Sequence, residues 1–145
     1  MKDIIIQLAA AFAGALGFSL LYHLRFRHLL FASFAGMLTW GVYLAVHSLT
    51  DGSFIPCLAG ALFAVILSEI LAHLRKCPAT LFLLPAIIPL VPGGSLYYTM
   101  SSAVRGDFAT AASFGRETVI CAFAIAAGIS FATVLRELHT PKKVS

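Results

Sequence analysis

Charged side chains are scarce in this chain. Of its 145 residues, 11% are Asp, Glu, Lys or Arg, whereas 60% are hydrophobic and the mean hydropathy is +0.95. An ordinary soluble domain carries about a quarter charged residues, so the composition excludes a soluble globular domain. The sequence predicts an all-α integral membrane protein, because a helix satisfies its backbone hydrogen bonds internally within the bilayer.

Motifs of soluble chemistry are also missing. The chain has no Walker-type glycine loop, no HExxH among its five histidines and no G-x-S-x-G nucleophile elbow. We therefore expect no catalytic residue, no metal, no cofactor and no enzymatic activity. The formal net charge is +4, but the basic residues cluster at the ends of apolar segments. This pattern indicates membrane topology and no nucleic-acid partner.

Cysteine is limited to Cys57, Cys77 and Cys121, and two of these residues fall within apolar segments. An odd number of cysteines in this setting argues against a disulfide framework or a zinc site. We expect free thiols that pack in the protein interior.

Long apolar segments are what the chain has in abundance. A spanning helix needs about twenty apolar residues, and five segments reach that length within a single transmembrane domain, residues 1–145. They are residues 4–24, 29–49, 54–74, 79–101 and 118–138. The connection 102–117 is polar enough to lie at the interface, and small residues such as Gly36, Gly60 and Gly128 predict close helix packing.

The basic residues predict an orientation for the five-span bundle. If all five segments cross, seven basic residues lie on one side and three on the other. The first group is Arg25, Arg27, Arg75, Lys76, Arg136, Lys142 and Lys143, and the second is Lys2, Arg105 and Arg116. The positive-inside rule then places the N-terminus outside and the C-terminus in the cytoplasm. A re-entrant fourth segment would give a weaker bias, six against four.

The fourth segment is interrupted by Pro85 and Pro89 and by the run Pro92-Gly93-Gly94. Proline removes a backbone donor and clashes with the preceding helical turn, so the sequence predicts a broken helix. At about 1.5 Å per residue the break falls near the bilayer midplane, where transporters bind substrates with discontinuous helices. A proline kink that only shapes packing is the alternative.

A half-helix starting after the break would point free N–H groups and a positive dipole end at an anionic substrate. The candidate substrate-binding residues are Pro92, Gly93, Gly94, Ser95 and Tyr97. Tyr97 would offer a hydroxyl, although Tyr98 is an alternative for that role.

Glu69 is an acid within the third predicted span, and intramembrane acids are costly. With His73 one turn later, it is a candidate for proton or ion coupling, or for contact with a substrate ammonium. The alternative is an interfacial pair with Arg75 or Lys76. The stripe of Trp40, Tyr43 and His47 on another span is more typical of packing.

The run from Pro78 to Tyr98 is PATLFLLPAIIPLVPGGSLYY, and MSSAVRGDF follows shortly after it. This run resembles the threonine/serine exporter family (ThrE type), and within it the small YjjB-like subunit. Ile87 to Tyr97 is the most specific part, while the other helices agree in number, length and order.

The resemblance implies export of threonine, serine or another small carboxylate across the inner (plasma) membrane of a prokaryote, driven by an ion gradient. It also implies a partner, a larger YjjP-like subunit with a hydrophilic N-terminal region, without which the chain would be inactive. Two alternatives stay open: a non-transporting assembly subunit and a homo-oligomeric channel. Lipid would surround the bundle in each case.

Overall fold

The computed structural model of the chain describes residues 2–139, and these residues are helical apart from short connections. The helices are α1 (Lys2–Leu21), α2 (Phe26–His47), α3 (Phe54–Arg75), α4 (Thr80–Ile87), α5 (Gly93–Val104) and α6 (Phe108–His139). In the described residues, α1, α2, α3 and α6 are each long and apolar enough to cross a membrane, and α4 with α5 makes a fifth crossing if the bent pair is one span. The all-helical membrane fold is therefore confirmed.

The last helix is longer than the sequence predicted. It begins at Phe108 and not at residue 118, so the connection after α5 is Arg105–Asp107 and not 102–117. Asp107 accepts a hydrogen bond from the Thr110 N–H at 3.1 Å, as a residue at a helix start commonly does. The Ser113 hydroxyl donates to the Thr110 carbonyl at 2.8 Å. Polar residues that indicated a loop are thus satisfied within the helix.

Small residues bring the helices together, as predicted. A Cβ atom on Gly36 of α2 would lie 2.6 Å from the Ala15 Cβ of α1 and 3.0 Å from the Pro85 carbonyl oxygen of α4. A Cβ atom on Gly128 of α6 would lie 2.9 Å from the Ala61 Cβ of α3. Only glycine allows such close contacts between neighbouring backbones.

The prediction that all three cysteines are free is wrong. Cys57 of α3 and Cys121 of α6 form a disulfide, with their Cα atoms 5.7 Å apart, and Cys77 is free. The two cysteines are 64 residues apart in the sequence, so their pairing depends on the packing of α3 against α6. An odd cysteine count does not exclude one pair with a leftover thiol.

The predicted break in the fourth segment is confirmed, but it begins later than Pro85. α4 continues through Pro85, which is buried, and a 3-10 turn follows at Ile88–Leu90 with Pro89 inside it. Val91 is extended (φ −60°, ψ 125°), and the axes before and after the break differ by 47°. One proline removes one hydrogen bond and leaves α4 helical; the extended residue between Pro89 and Pro92 separates the two half-helices.

The break lies beside the last turns of α2 and the first turns of α3. Leu90 packs against Gly60 and belongs to one core cluster with Cys57, Trp40 and Tyr43. After the break, α5 packs against α6, and none of the residues of α5 is buried. The midplane depth of the break and the orientation of the bundle stay predictions, and Lys142 and Lys143 lie outside the described residues.

Candidate substrate cleft at the broken helix

A cleft of about 180 Å³ opens at the break between α4 and α5. The break forms one wall, and α2, the start of α3 and α6 form the others. The lining residues are Trp40, Tyr43, Ser53, Pro89, Leu90, Val91, Pro92, Gly93, Gly94, Ser95, Glu117 and Cys121.

The structure brings four of the five predicted binding residues to this cleft: Pro92, Gly93, Gly94 and Ser95. Tyr97 does not line it. The Tyr97 side chain is 66% exposed and packs edge-on against Tyr98 at 5.5 Å between ring centroids. Tyr98 in turn stacks on Phe114 of α6 at 5.3 Å. Neither tyrosine of α5 therefore supplies a hydroxyl to the cleft.

The N-terminus of α5 faces the cleft with free backbone donors. Pro92 is the N-cap residue of α5, and no side chain caps this helix. The first hydrogen bond between residues four apart runs from the Leu96 N–H to the Pro92 carbonyl at 3.0 Å. The N–H groups of Gly94 and Ser95 precede that bond and have no partner within the helix. A Cβ atom on Gly93 or Gly94 would meet no atom within 4 Å. The site can thus receive an anion against the backbone.

Glu117 lies opposite this helix end, and sequence reasoning missed it. Its carboxylate accepts a hydrogen bond of 2.9 Å from the Ser53 hydroxyl at the start of α3. The sequence prediction put Glu117 in an interfacial connection, because it marks the end of a polar stretch. Its spacing of four residues from Cys121 was the available signal, since this spacing puts both on one face of a helix.

Trp40 and Tyr43 of α2 form an aromatic wall of the cleft. Their rings stack with centroids 4.6 Å apart, and Tyr43 stacks further on His47 at 5.6 Å. The stripe was predicted to pack, and it does, but two of its members also line the cleft. The Trp40 Nε1 atom is buried without a hydrogen-bond partner, so the wall holds a donor that a polar ligand could use.

Glu69 and His73 lie away from the cleft. Glu69 pairs with Arg136 of α6, with the Arg136 Nη1 atom 3.2 Å from Oε1. The alternative pair with Arg75 or Lys76 is not formed, and the Arg75 guanidinium lies over the Phe31 ring at 3.9 Å. Glu69 is twelve residues beyond Cys57 on the same helix, about 18 Å along its axis. The structure therefore separates the predicted coupling acid from the predicted binding residues.

Within residues 2–139, no group of three or more His, Cys, Asp or Glu side chains is arranged to hold a metal ion. The cleft is thus a site of backbone donors, one carboxylate and aromatic rings. Such a set can bind and orient a small polar molecule.

Comparison with known proteins gives one match. No curated protein and no solved structure matches the chain significantly. Residues 7–135 match the family model described as "Threonine/Serine exporter, ThrE", and this region contains the whole cleft, helices α2 to α5 and most of α1 and α6. The match agrees with the resemblance of the Pro78 to Tyr98 run, and it confirms that the chain is of a transporter type and not an enzyme. The chain belongs to the threonine/serine exporter family.

Proposed function

We propose that this chain is the small membrane subunit of a secondary exporter for threonine, serine or another small amino acid, and that the cleft at the broken helix binds the substrate. The observation that carries this proposal is the position of Glu117 across the cleft from the N-terminus of α5. One wall offers backbone N–H donors and a positive dipole end. The other offers a negative charge.

This arrangement fits a zwitterion. The N–H groups of Gly94 and Ser95 would bind the substrate carboxylate, and the Glu117 carboxylate would accept hydrogen bonds from the ammonium group. The orienting hydroxyl expected of Tyr97 is better assigned to Tyr43, which lines the cleft. The volume of about 180 Å³ is below the roughly 300–1,000 Å³ of sites for drug-sized ligands, which favours a small substrate.

Glu69 keeps a role in coupling, with a partner different from the predicted one. Its carboxylate pairs with Arg136 between α3 and α6, the same two helices that the disulfide joins next to the cleft. Protonation of Glu69 would weaken this pair and change the packing of α6 on α3. His73 follows one turn later, is exposed and shares the proposed coupling role with Glu69.

The orientation and the partner complete the proposal. In this proposal the N-terminus lies outside a bacterial plasma membrane and the C-terminus in the cytoplasm, the orientation that the charge count favours. A larger subunit of opposite topology would form an inverted pair with this chain. The unburied helix α5, with Leu96 50% and Met100 64% exposed, offers an apolar face for that subunit.

Threonine efflux tests this proposal in cells that make this chain alone, the larger subunit alone, or both. Saturable efflux is expected only when both are present. Full efflux from this chain alone would contradict the need for a partner, and non-saturable flux in liposomes would assign a channel. If both the Glu117→Gln and the Gly94→Val variants of the pair export like wild type, the cleft does not bind substrate and the chain is an assembly subunit.

A further inference from the structure

A second and larger cavity lies at the opposite end of the bundle from the α5–α6 connection. It has a volume of about 600 Å³ and opens between the α1–α2 connection and the end of α3. Its lining residues are Arg25, Phe26, Arg27, His28, Leu74, Arg75 and Lys76. Four of these seven side chains are permanent cations, and none is an acid, so the positive charge has no counterion within the cavity wall.

The start of α2 adds to this positive potential. Arg25 occupies the cap position, the first turn contains no acid, and no side chain caps the helix. The positive end of the α2 dipole therefore lies among Arg25, Arg27 and His28, an arrangement that opposes the usual preference for acids at helix N-termini. Arg75 and Lys76 interact favourably with the negative dipole end of α3, where they lie. They also add positive charge to the same cavity.

His28 contributes a second, independent sign of a missing partner. Its ring packs edge-on against Phe82 at 5.9 Å, and its Nδ1 atom is buried without a hydrogen-bond partner. Buried polar side-chain atoms normally have a partner. The positive-inside rule accounts for basic residues in this connection, but it accounts neither for the unpaired Nδ1 atom nor for the uncapped helix.

We propose that this cavity binds the phosphate group of an anionic phospholipid. A phosphate would supply the missing negative charge and accept hydrogen bonds from the guanidinium groups and the first N–H groups of α2. The cavity also has apolar walls at the ends of two spans, since Phe26 is 81% and Leu74 is 73% exposed. These side chains would contact the acyl chains, which a free phosphate ion lacks, and basic pockets between spans suit lipid headgroups.

Native mass spectrometry of the purified full chain in neutral detergent tests this proposal. The probes are phosphatidylglycerol, phosphatidylcholine and inorganic phosphate. We expect phosphatidylglycerol to bind in preference to phosphatidylcholine, and the double variant Arg25→Gln, Arg27→Gln to lose about tenfold or more in its affinity. His28→Phe keeps an aromatic ring and removes both ring nitrogens, Nδ1 among them, and it should weaken binding several-fold.

The matched control is Arg105→Gln, Arg116→Gln, which removes the same charge at the other end of the bundle and should bind the lipid like wild type. The variant Arg25→Lys, Arg27→Lys keeps the charge that directs insertion and should retain most of the binding, which separates the site from misfolding. Equal binding of phosphatidylglycerol and phosphatidylcholine would overturn the proposal. An equal loss of lipid affinity in the Arg25→Gln, Arg27→Gln variant and in the control variant would also overturn it. Displacement of the lipid by an equal concentration of inorganic phosphate would overturn the lipid assignment in favour of free phosphate.

Discussion

The Ser53 hydroxyl donates a hydrogen bond of 2.9 Å to the Glu117 carboxylate, so the first residue before α3 positions an acid of α6 in the cleft. This contact joins two parts of the chain that are 64 residues apart. It fixes a negative charge opposite the backbone donors at Gly94 and Ser95. The negative carboxylate and the partly positive N–H donors face each other across one small cleft. This arrangement is the basis of the proposed recognition of an amino acid.

Replacing Glu117 should weaken recognition of the ammonium group. Glu117→Gln removes a charge and keeps the size of the side chain, and a hydrogen bond to a charged group contributes roughly 1.5–3 kcal/mol. We expect the KM for threonine efflux to rise about tenfold to a hundredfold, whereas Ser53→Ala should raise it less. An unchanged KM in Glu117→Gln would remove this residue from the site.

A side chain added at Gly94 should impair substrate binding without lowering the stability of the protein. A Cβ atom there meets no atom within 4 Å, so Gly94→Val should fold normally and fill space that the proposed carboxylate needs. We expect threonine binding to fall strongly in isothermal titration while the melting temperature stays close to that of wild type.

Gly36→Ala is the matched contrast for this variant. Its Cβ atom would lie 2.6 Å from that of Ala15, and overpacking of this kind costs about 1–3 kcal/mol. We expect a lower melting temperature for Gly36→Ala, measured on detergent-solubilised protein. Normal substrate binding by Gly94→Val would show that the helix N-terminus does not hold the carboxylate.

Glu69 should affect coupling and not recognition. Glu69→Gln removes the carboxylate and weakens the pair with Arg136, while the cleft lies about 18 Å away along α3. We expect the pH dependence of threonine efflux to flatten and the dissociation constant for threonine to stay near that of wild type. A variant that keeps the wild-type pH profile but binds threonine poorly would reverse the roles of Glu69 and Glu117.

The disulfide between Cys57 and Cys121 should stabilise the packing of α3 on α6 next to the cleft. Closing a chain of this length contributes at most about 4 kcal/mol through the entropy of the unfolded chain. We expect the double variant Cys57→Ser, Cys121→Ser to melt at a lower temperature than wild type under oxidising conditions. Under reducing conditions the difference should shrink, and Cys77→Ser should show no such effect.

Much of the bundle could be predicted from hydropathy alone. The first three spans were placed to within three residues at each end, because each apolar run is bounded by charged or turn-forming residues. The break after Ile87 was also predictable, since Pro89, Pro92 and two glycines interrupt an apolar run within six residues. Residues that are neighbours in the sequence determine both the ends of these spans and the position of the break.

What the sequence did not reveal depends on contacts between distant residues. The start of α6 was placed ten residues too late because Thr110 and Ser113 belong to a polar stretch that indicated a connection. In the structure, the Thr110 N–H donates to Asp107 and the Ser113 hydroxyl donates to the Thr110 carbonyl. The Cys57 disulfide and the Ser53 contact with Glu117 both follow from the packing of α3 against α6. No local pattern specifies which helix packs against which, so these parts of the site required the structure.

Protection of an introduced thiol tests the location of the substrate most directly. Gly94→Cys in a Cys77→Ser background leaves one reactive thiol, because Cys57 and Cys121 are paired. We predict that threonine and serine slow its reaction with a maleimide several-fold in purified protein, while leucine does not. The control is Ser113→Cys, which is exposed on α6 outside the cleft. It should react with the maleimide at the same rate with and without the amino acids. Equal labelling of Gly94→Cys with and without threonine would contradict the proposal that the broken helix binds the exported amino acid.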